Sequence, residues 1–165
     1  MSRAFLPLVL LAVGCFGGSS GPRFESNEDR VSFARIDGWD IGRERATLVL
    51  HQAAGSATIA IRTIPRAGWS EPRDASNVLP AVATSLRALP TAHVTGPIEL
   101  EDPEYPAVAF DVDYTTPSHR HYQRRHVTLI GDTRIIHVFL VAPAGKLNSA
   151  RRDFDQVVNS ILEEG

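Results

Sequence analysis

The stretch from Ser118 to His126 holds the densest group of side chains that could do chemistry, with three histidines and three arginines in nine residues. Side chains alternate between the two faces of a strand, so His119 and His121 would point to one side, as a metal ion requires, and His126 to the other. A zinc site needs three or four ligands, so this pair would also need a distant carboxylate or His93. One hypothesis is therefore a metal- or ligand-binding protein, or an enzyme, that uses the His119/His121 region.

Two further interpretations explain the same stretch without a metal. Asp111 and Asp113 lie on the preceding predicted strand, and a short turn would bring them opposite residues 122–126. Opposite charges that face each other across strands contribute about 0.2 to 1 kcal/mol per pair, so the arginines could form a charge ladder. If the strand instead stays exposed at a sheet edge, it offers a basic interaction surface to an acidic partner or to lipid headgroups. This possible interaction surface comprises His119, Arg120, His121, Tyr122, Arg124, Arg125 and His126.

The other polar groups form no recognisable catalytic constellation. The acidic pairs at 111/113 and 99–102 would have to converge on a cleft to work as glycosidase carboxylates, and the sequence indicates a solvent-facing strand and a loop instead. His137 could be a ligand or a base, but a lone histidine in an apolar strand is usually a satisfied core residue. The chain contains no Walker loop, dinucleotide fingerprint or His-Glu-x-x-His motif. No catalytic, cofactor-binding or metal-binding residue is therefore assigned, and no cofactor is expected.

The first fifteen residues have the pattern of an export signal. Arg3 supplies a positive charge, and residues 4–13 supply an apolar stretch too short to span a bilayer as a lasting helix. Small residues then precede Cys15, the single cysteine of the chain, and this segment resembles the lipobox of bacterial lipoproteins. We therefore predict a lipoprotein signal peptide at residues 1–14 and lipid attachment at Cys15. The alternative is cleavage by ordinary signal peptidase, which would give a soluble secreted or periplasmic product.

Composition indicates one globular domain behind a tether. A chain of 165 residues with 43% hydrophobic residues has the usual size and apolar content of a single domain. Its net charge of -2 gives no nonspecific attraction to phosphates, which argues against a nucleic-acid partner. A single cysteine excludes an internal disulfide. Glycine, serine and charged residues dominate after Cys15, so residues 15–30 are predicted to be the lipidated cysteine and a flexible tether, and 31–164 the domain.

The first half of the domain shows strand and helix patterns that would position these side chains. Residues 31–36 predict a strand, and Trp39 after it is a candidate core anchor. A four-residue connection with glycine links 46–52 to 57–64, which is typical of a hairpin. Apolar residues at helical spacing predict a helix that begins near a cap at Ser76 or Asn77 and ends before Pro90.

The second half predicts a three-stranded meander followed by a helix. The strands are expected at 107–115, 121–130 and 134–142, and the last is apolar on both sides, so it should be central and covered on both faces. A second helix is expected behind a cap at Asn148 or Ser149. Its apolar positions are Phe154, Val157, Val158, Ile161 and Leu162. The fold class is thus α+β, an antiparallel sheet of about six strands flanked by helices.

Three segments carry a resemblance to a known family. They are 36–41 around Gly38-Trp39, the run 137–143 ending Val-Ala-Pro, and 154–161 ending Val-Val-Asn-Ser-Ile. Together with the element order they resemble the PsbP fold family, which includes bacterial envelope lipoproteins similar to DcrB. The resemblance implies an antiparallel α/β/α sandwich and a protein that binds or assembles rather than catalyses. The favoured hypothesis is a noncatalytic, membrane-anchored envelope lipoprotein that serves as a binding or accessory module for another envelope protein.

Overall fold

A computed structural model describes residues 22–66, 74–100 and 103–164 of the chain. The predicted signal peptide at 1–14, the predicted lipid-attachment residue Cys15, and Trp69 lie outside these ranges, as do Glu101 and Asp102. Within the described ranges, no helix combines the length and the hydrophobicity that crossing a membrane requires.

The described residues form ten strands and two α-helices. In chain order the strands are β1 (Arg23–Ser26), β2 (Val31–Ala34), β3 (Trp39–Glu44), β4 (Thr47–Gln52), β5 (Thr58–Pro65), β6 (His93–Ile98), β7 (Ala107–Thr115), β8 (His121–Ile130), β9 (Arg134–Pro143) and β10 (Leu162–Glu163). Helix α1 (Leu79–Arg87) follows a 3-10 turn at Ala75–Asn77 and precedes β6, and α2 (Leu147–Ser160) follows β9.

The main sheet has seven antiparallel strands in the order β3-β4-β5-β9-β8-β7-β6, and β1, β2 and β10 form a second, small sheet. The predicted α+β class, the hairpin and the meander are confirmed. Strands β1, β3, β6 and β10 were not predicted.

The main core lies between α2 and one face of the seven-stranded sheet. Phe154 and Val157 of α2 are fully buried against alternate residues of the central strands, such as Ile61, Val138 and Leu140. A smaller core lies on the opposite face, where α1 packs on the ends of β7, β8 and β9. Each strand of the sheet therefore sends alternate side chains to two differently covered faces.

Strand β9 is central, but its predicted cover on both faces is only half correct. On the α2 side Ile136, Val138 and Leu140 are fully buried, whereas His137 and Phe139 on the other side are half-buried. The reason is the length of α1, because nine residues of helix extend only about 14 Å, whereas seven strands span about 29 Å. We call the part of the sheet that α1 leaves uncovered the open face.

The predicted tether is too long, because residues 22–30 belong to the folded domain. Strand β1 pairs with β2, and the ring of Phe24 lies 5.3 Å from that of Phe33. The charged residues that follow are satisfied rather than free, since Ser26 donates a hydrogen bond of 2.6 Å to Asp29 and Arg43 pairs with the same carboxylate. The remainder of the predicted tether lies outside the described residues.

The helix boundaries also differ in detail from the prediction. Asp74, not Ser76 or Asn77, caps the first turn by accepting a hydrogen bond of 2.8 Å from the Ser76 N–H. Helix α2 begins behind Lys146, whose carbonyl accepts a hydrogen bond of 2.7 Å from the Ser149 hydroxyl. The backbone becomes extended at residue 161, so Leu162 belongs to β10 and is 40% exposed.

Candidate ligand cleft on the open face

A cleft of about 300 Å³ lies where α1 meets the open face. Its walls are Ala81, Val82 and Ser85 of α1, Arg62 and Ile64 of β5, Arg124 and His126 of β8, and His137 and Phe139 of β9. Its volume is at the lower end of the range for small-molecule pockets. We call it the α1 cleft.

Strand register brings these residues together from distant parts of the chain. Arg62 of β5 lies opposite His137 of β9, and His137 also lies opposite Thr128 of β8. Phe139, two residues beyond His137 on β9, lies opposite His126. Because alternate residues share a face, both rows point to the open side of the sheet.

Two histidines and a threonine form a closed hydrogen-bonded group at the floor of the cleft. His126 Nε2 lies 3.2 Å from His137 Nδ1, and the Thr128 hydroxyl lies 3.2 Å from the former and 3.1 Å from the latter. Burial, together with the nearby charge of Arg124, lowers the pKa of His126 to about 2. Burial and the charges of Arg62 and Arg124 lower the pKa of His137 to about 4. Both imidazoles are therefore neutral at pH 7.

Arg124 stands above this group without a carboxylate partner. Its guanidinium carbon lies 4.0 Å from the centre of the Phe139 ring, and its Nη2 lies 3.5 Å from His126 Nδ1. Its Nε is buried with no hydrogen-bond partner. Burial lowers the pKa of Arg124, an effect that the nearby Tyr114 opposes. No acidic side chain of the described residues forms an ion pair with Arg124 or with Arg62.

The adjacent Arg125 shows the opposite situation on the other face of the same strand. Its side chain is buried, and its Nη1 lies 3.1 and 3.0 Å from the two carboxylate oxygens of Asp111. Asp113 similarly accepts a hydrogen bond of 3.0 Å from Gln123. The predicted charge ladder between these strands is confirmed at Asp111.

The seven residues of the predicted interaction surface do not share one surface. His119, Arg120 and His121 are exposed in and beside the turn that joins β7 to β8. Tyr122 and Arg124 are half-buried on the open face, whereas Arg125 and His126 are each only 4% exposed. The division follows from strand alternation and from the cover that the neighbouring strands and helices provide.

His119 and His121, the predicted metal pair, are not joined by further ligands. His119 occupies a left-handed turn position with φ 58°, and His121 Nδ1 lies 3.2 Å from the Thr115 hydroxyl. Within the described ranges, no group of three or more His, Cys, Asp or Glu residues is placed to hold a metal ion.

Three contributors to the cleft were not singled out from the sequence. No functional motif marks Arg62, Phe139 or Ser85. They come together only because β5 pairs with β9 and α1 packs on the same face. His137 was noticed, as the one polar interruption in an apolar strand, and it is the centre of the buried group.

Solved structures of low sequence identity share the fold. LpqN of Mycobacterium tuberculosis, described as involved in cell envelope biogenesis, has a TM-score of 0.61 at 12% identity, over 90% of this chain and 87% of that one. The cyanobacterial PsbP of Synechocystis has a TM-score of 0.59 at 13% identity, over 93% of this chain and 98% of that one. The Ran-binding protein Mog1p of Saccharomyces cerevisiae has a TM-score of 0.54 at 8% identity, over 86% and 94%.

Sequence comparisons add nothing to this relation, because no protein-family model and no curated protein matches the chain. The structural likeness spans nearly the whole described domain in bacterial, cyanobacterial and yeast proteins. The chain therefore has the PsbP-like α+β fold that its sequence predicted.

Proposed function

We propose that the protein is a noncatalytic envelope lipoprotein, anchored to the membrane by lipid on Cys15, whose PsbP-like domain serves as a binding or accessory module. The lipobox-like segment before Cys15 supports the anchor. The fold shared with LpqN, a protein described as involved in cell envelope biogenesis, supports the location and an accessory role.

The observation that carries the binding role is the open face. A sheet that α1 covers only in part leaves Phe139 and Val141 of β9 half-buried, and Ile64, farther along the same face on β5, is 39% exposed. Apolar side chains of this kind, interspersed with Arg62 and Arg124, are typical of a site that a partner or ligand covers.

The proposed anchor lies close to the folded domain. Seven residues, 16–22, separate Cys15 from the first residue of β1, and a chain of this length reaches at most about 28 Å. A partner would therefore be found near the membrane surface, which suits an envelope protein better than a soluble one.

Intact mass of the chain purified from bacterial membranes tests the anchor. We expect a diacylglyceryl adduct that disappears in Cys15→Ala, while Ser19→Ala, the matched control, keeps both the adduct and the membrane fraction. An unlipidated, soluble wild-type product would overturn the anchor. Stoichiometric zinc in the same samples would favour the alternative, a metal- or ligand-binding protein that uses His119 and His121.

Site-directed photocrosslinking tests the binding role. A crosslinker at Ile64 or Val141 on the open face should capture a discrete envelope protein in intact cells. A crosslinker at Gln156, exposed on the outer side of α2, is the control and should not capture it. Identical crosslinking patterns from the two sides of the domain would contradict a binding role for the open face.

A further inference from the structure

The Arg124 guanidinium is partly withdrawn from water, and no opposite charge among the described residues compensates for the lost hydration. Its guanidinium is half-buried, its Nε has no hydrogen-bond partner, and no carboxylate of the described residues pairs with it. Withdrawing a cation from water is unfavourable unless an opposite charge or hydrogen-bond acceptors replace the lost hydration. The α1 cleft in front of Arg124 has room for such a group.

Other arginines of the domain have partners within the chain. Arg125 is paired with Asp111, and Arg43 is paired with Asp29. Arg134 donates a hydrogen bond of 3.2 Å to Thr63. The Nε atoms of Arg125 and Arg134 also have no hydrogen-bond partner, so what distinguishes Arg124 from these residues is that it faces a cavity. Arg62, in the same cavity, adds a second positive charge that forms no ion pair with a described residue.

The geometry favours a planar anion. The Phe139 ring, 4.0 Å from the Arg124 guanidinium carbon, contacts the guanidinium and helps to hold it in the cleft. A guanidinium pairs best with a carboxylate that is coplanar with it, through two parallel hydrogen bonds. The histidine pair beneath has lowered pKa values and is neutral at pH 7, so the arginines supply the positive charge of the cleft.

Apart from Ser85 and the two histidines, the rest of the wall is apolar. Ile64 of β5, Ala81 and Val82 of α1 and the ring of Phe139 surround the arginines. A hydrated inorganic ion would leave this surface unused, whereas a carboxylate with a short apolar body would cover it.

We propose that the α1 cleft binds a small carboxylate with a short apolar body, which pairs with Arg124 and Arg62 and rests against Val82, Ile64 and Phe139. This site does not depend on the lipid anchor or on a protein partner, so its failure would leave the proposed function standing.

Calorimetric titration of the full-length chain with benzoate, hexanoate and inorganic phosphate tests the site. We expect saturable 1:1 binding of benzoate and hexanoate, and weaker binding of phosphate. Loss of a charged hydrogen-bond donor weakens binding by roughly ten- to a hundredfold, so Arg124→Gln should lose at least tenfold in affinity, and Arg62→Gln several-fold. Arg120→Gln removes an exposed arginine outside the cleft and is the control, with wild-type affinity.

Three results would overturn the site: no saturable carboxylate binding in the millimolar range, equal affinity in wild type and Arg124→Gln, or phosphate binding as tight as benzoate. If Arg124→Gln does not fold, amide shifts of the wild-type chain decide the matter. Benzoate should then shift the amides of Val82, Thr128 and His137, and shifts confined to other regions would overturn the proposal.

Discussion

Neighbouring residues on β8 have opposite electrostatic environments because the strand alternates between two faces. Arg125 points to the α2 side and is paired with Asp111, and Arg124 points to the open face and is not paired with a described carboxylate. The stability of the fold and the proposed carboxylate binding thus involve adjacent side chains, and each can be tested without the other.

The Arg125–Asp111 pair predicts an asymmetric response to mutation. Asp111→Asn leaves a buried cation without its counter-ion and should lower the free energy of unfolding by about 1 to 3 kcal/mol. Arg125→Met removes the charge and keeps the apolar volume, so it should cost less. Urea denaturation measures both, with Asp113→Asn, on an exposed residue, as control. A larger loss in Arg125→Met than in Asp111→Asn would contradict the predicted asymmetry.

The histidine pair predicts that acid destabilises the domain well above the carboxylate range. His126 and His137 lie against each other. The charged side chains that line the cleft with them are Arg62 of β5 and Arg124 of β8, and α1 contributes only uncharged residues. Their folded pKa values of about 2 and about 4 lie below the unfolded value near 6.5. Between these limits the unfolded chain binds more protons, so stability is complete above about pH 6.5 and falls as the pH decreases.

The measurement is urea denaturation at several pH values. Each buried histidine contributes a slope of up to about 1.4 kcal/mol per pH unit, and the contribution of His137 levels off near pH 4. His137→Phe should reduce the slope by up to one such increment. His119→Gln removes an imidazole from the surface turn and controls for the loss of a histidine as such. Equal slopes in wild type and His137→Phe would refute the buried neutral pair.

At the scale of elements, local sequence patterns predicted the structures that segments adjacent in the chain form with one another. The hairpin, the meander and both helices follow from periodicity and turn residues, and they are confirmed. Strand β6 was missed because its Gly96-Pro97 step has the composition of a loop, and β1 because its neighbours are charged. The α1 cleft was also missed, since it depends on the pairing of β5 with β9, for example of Arg62 with His137, and no local pattern specifies a pairing over such a distance in the chain.

Glu163 of β10 links the end of the described chain to the meander. The Glu163 carboxylate accepts hydrogen bonds of 2.6 Å from the Asp132 N–H and 2.9 Å from the Thr133 N–H, in the turn between β8 and β9. Charge-assisted bonds to backbone N–H groups are among the stronger ones, so Glu163→Ala should cost about 1 to 3 kcal/mol. Glu164→Ala is the matched control and should stay within about 0.5 kcal/mol of wild type. Similar unfolding free energies for the two variants would mean that the hydrogen bonds to Glu163 do not stabilise the fold.

At the scale of the whole molecule, the small sheet joins the beginning of the described chain to its end. Strands β1 and β10 both pair with β2, and Arg23 donates a hydrogen bond of 2.8 Å to the Ser160 carbonyl. The Glu164 N–H donates one of 2.9 Å to the Arg30 carbonyl. The described segment that begins at Pro22 is therefore part of the fold and not a loose extension of it.

Two shortened chains test whether residues 23–26 stabilise the fold as strand β1 or are only a tether. A chain that begins at Pro22 keeps every contact described here, whereas one that begins at Asn27 loses the packing of Phe24 on Phe33 and the Arg23 hydrogen bonds. Half-burial of a phenylalanine and two or three hydrogen bonds together contribute about 3 kcal/mol. For a domain of this size we expect the shorter chain to melt roughly 10 °C below the longer one in a calorimetric scan. Equal melting temperatures would mean that β1 adds nothing to stability, as the tether prediction requires. A lower one would mean that β1 is part of the fold, so that the lipid proposed on Cys15 would hold the domain through a strand of its own small sheet.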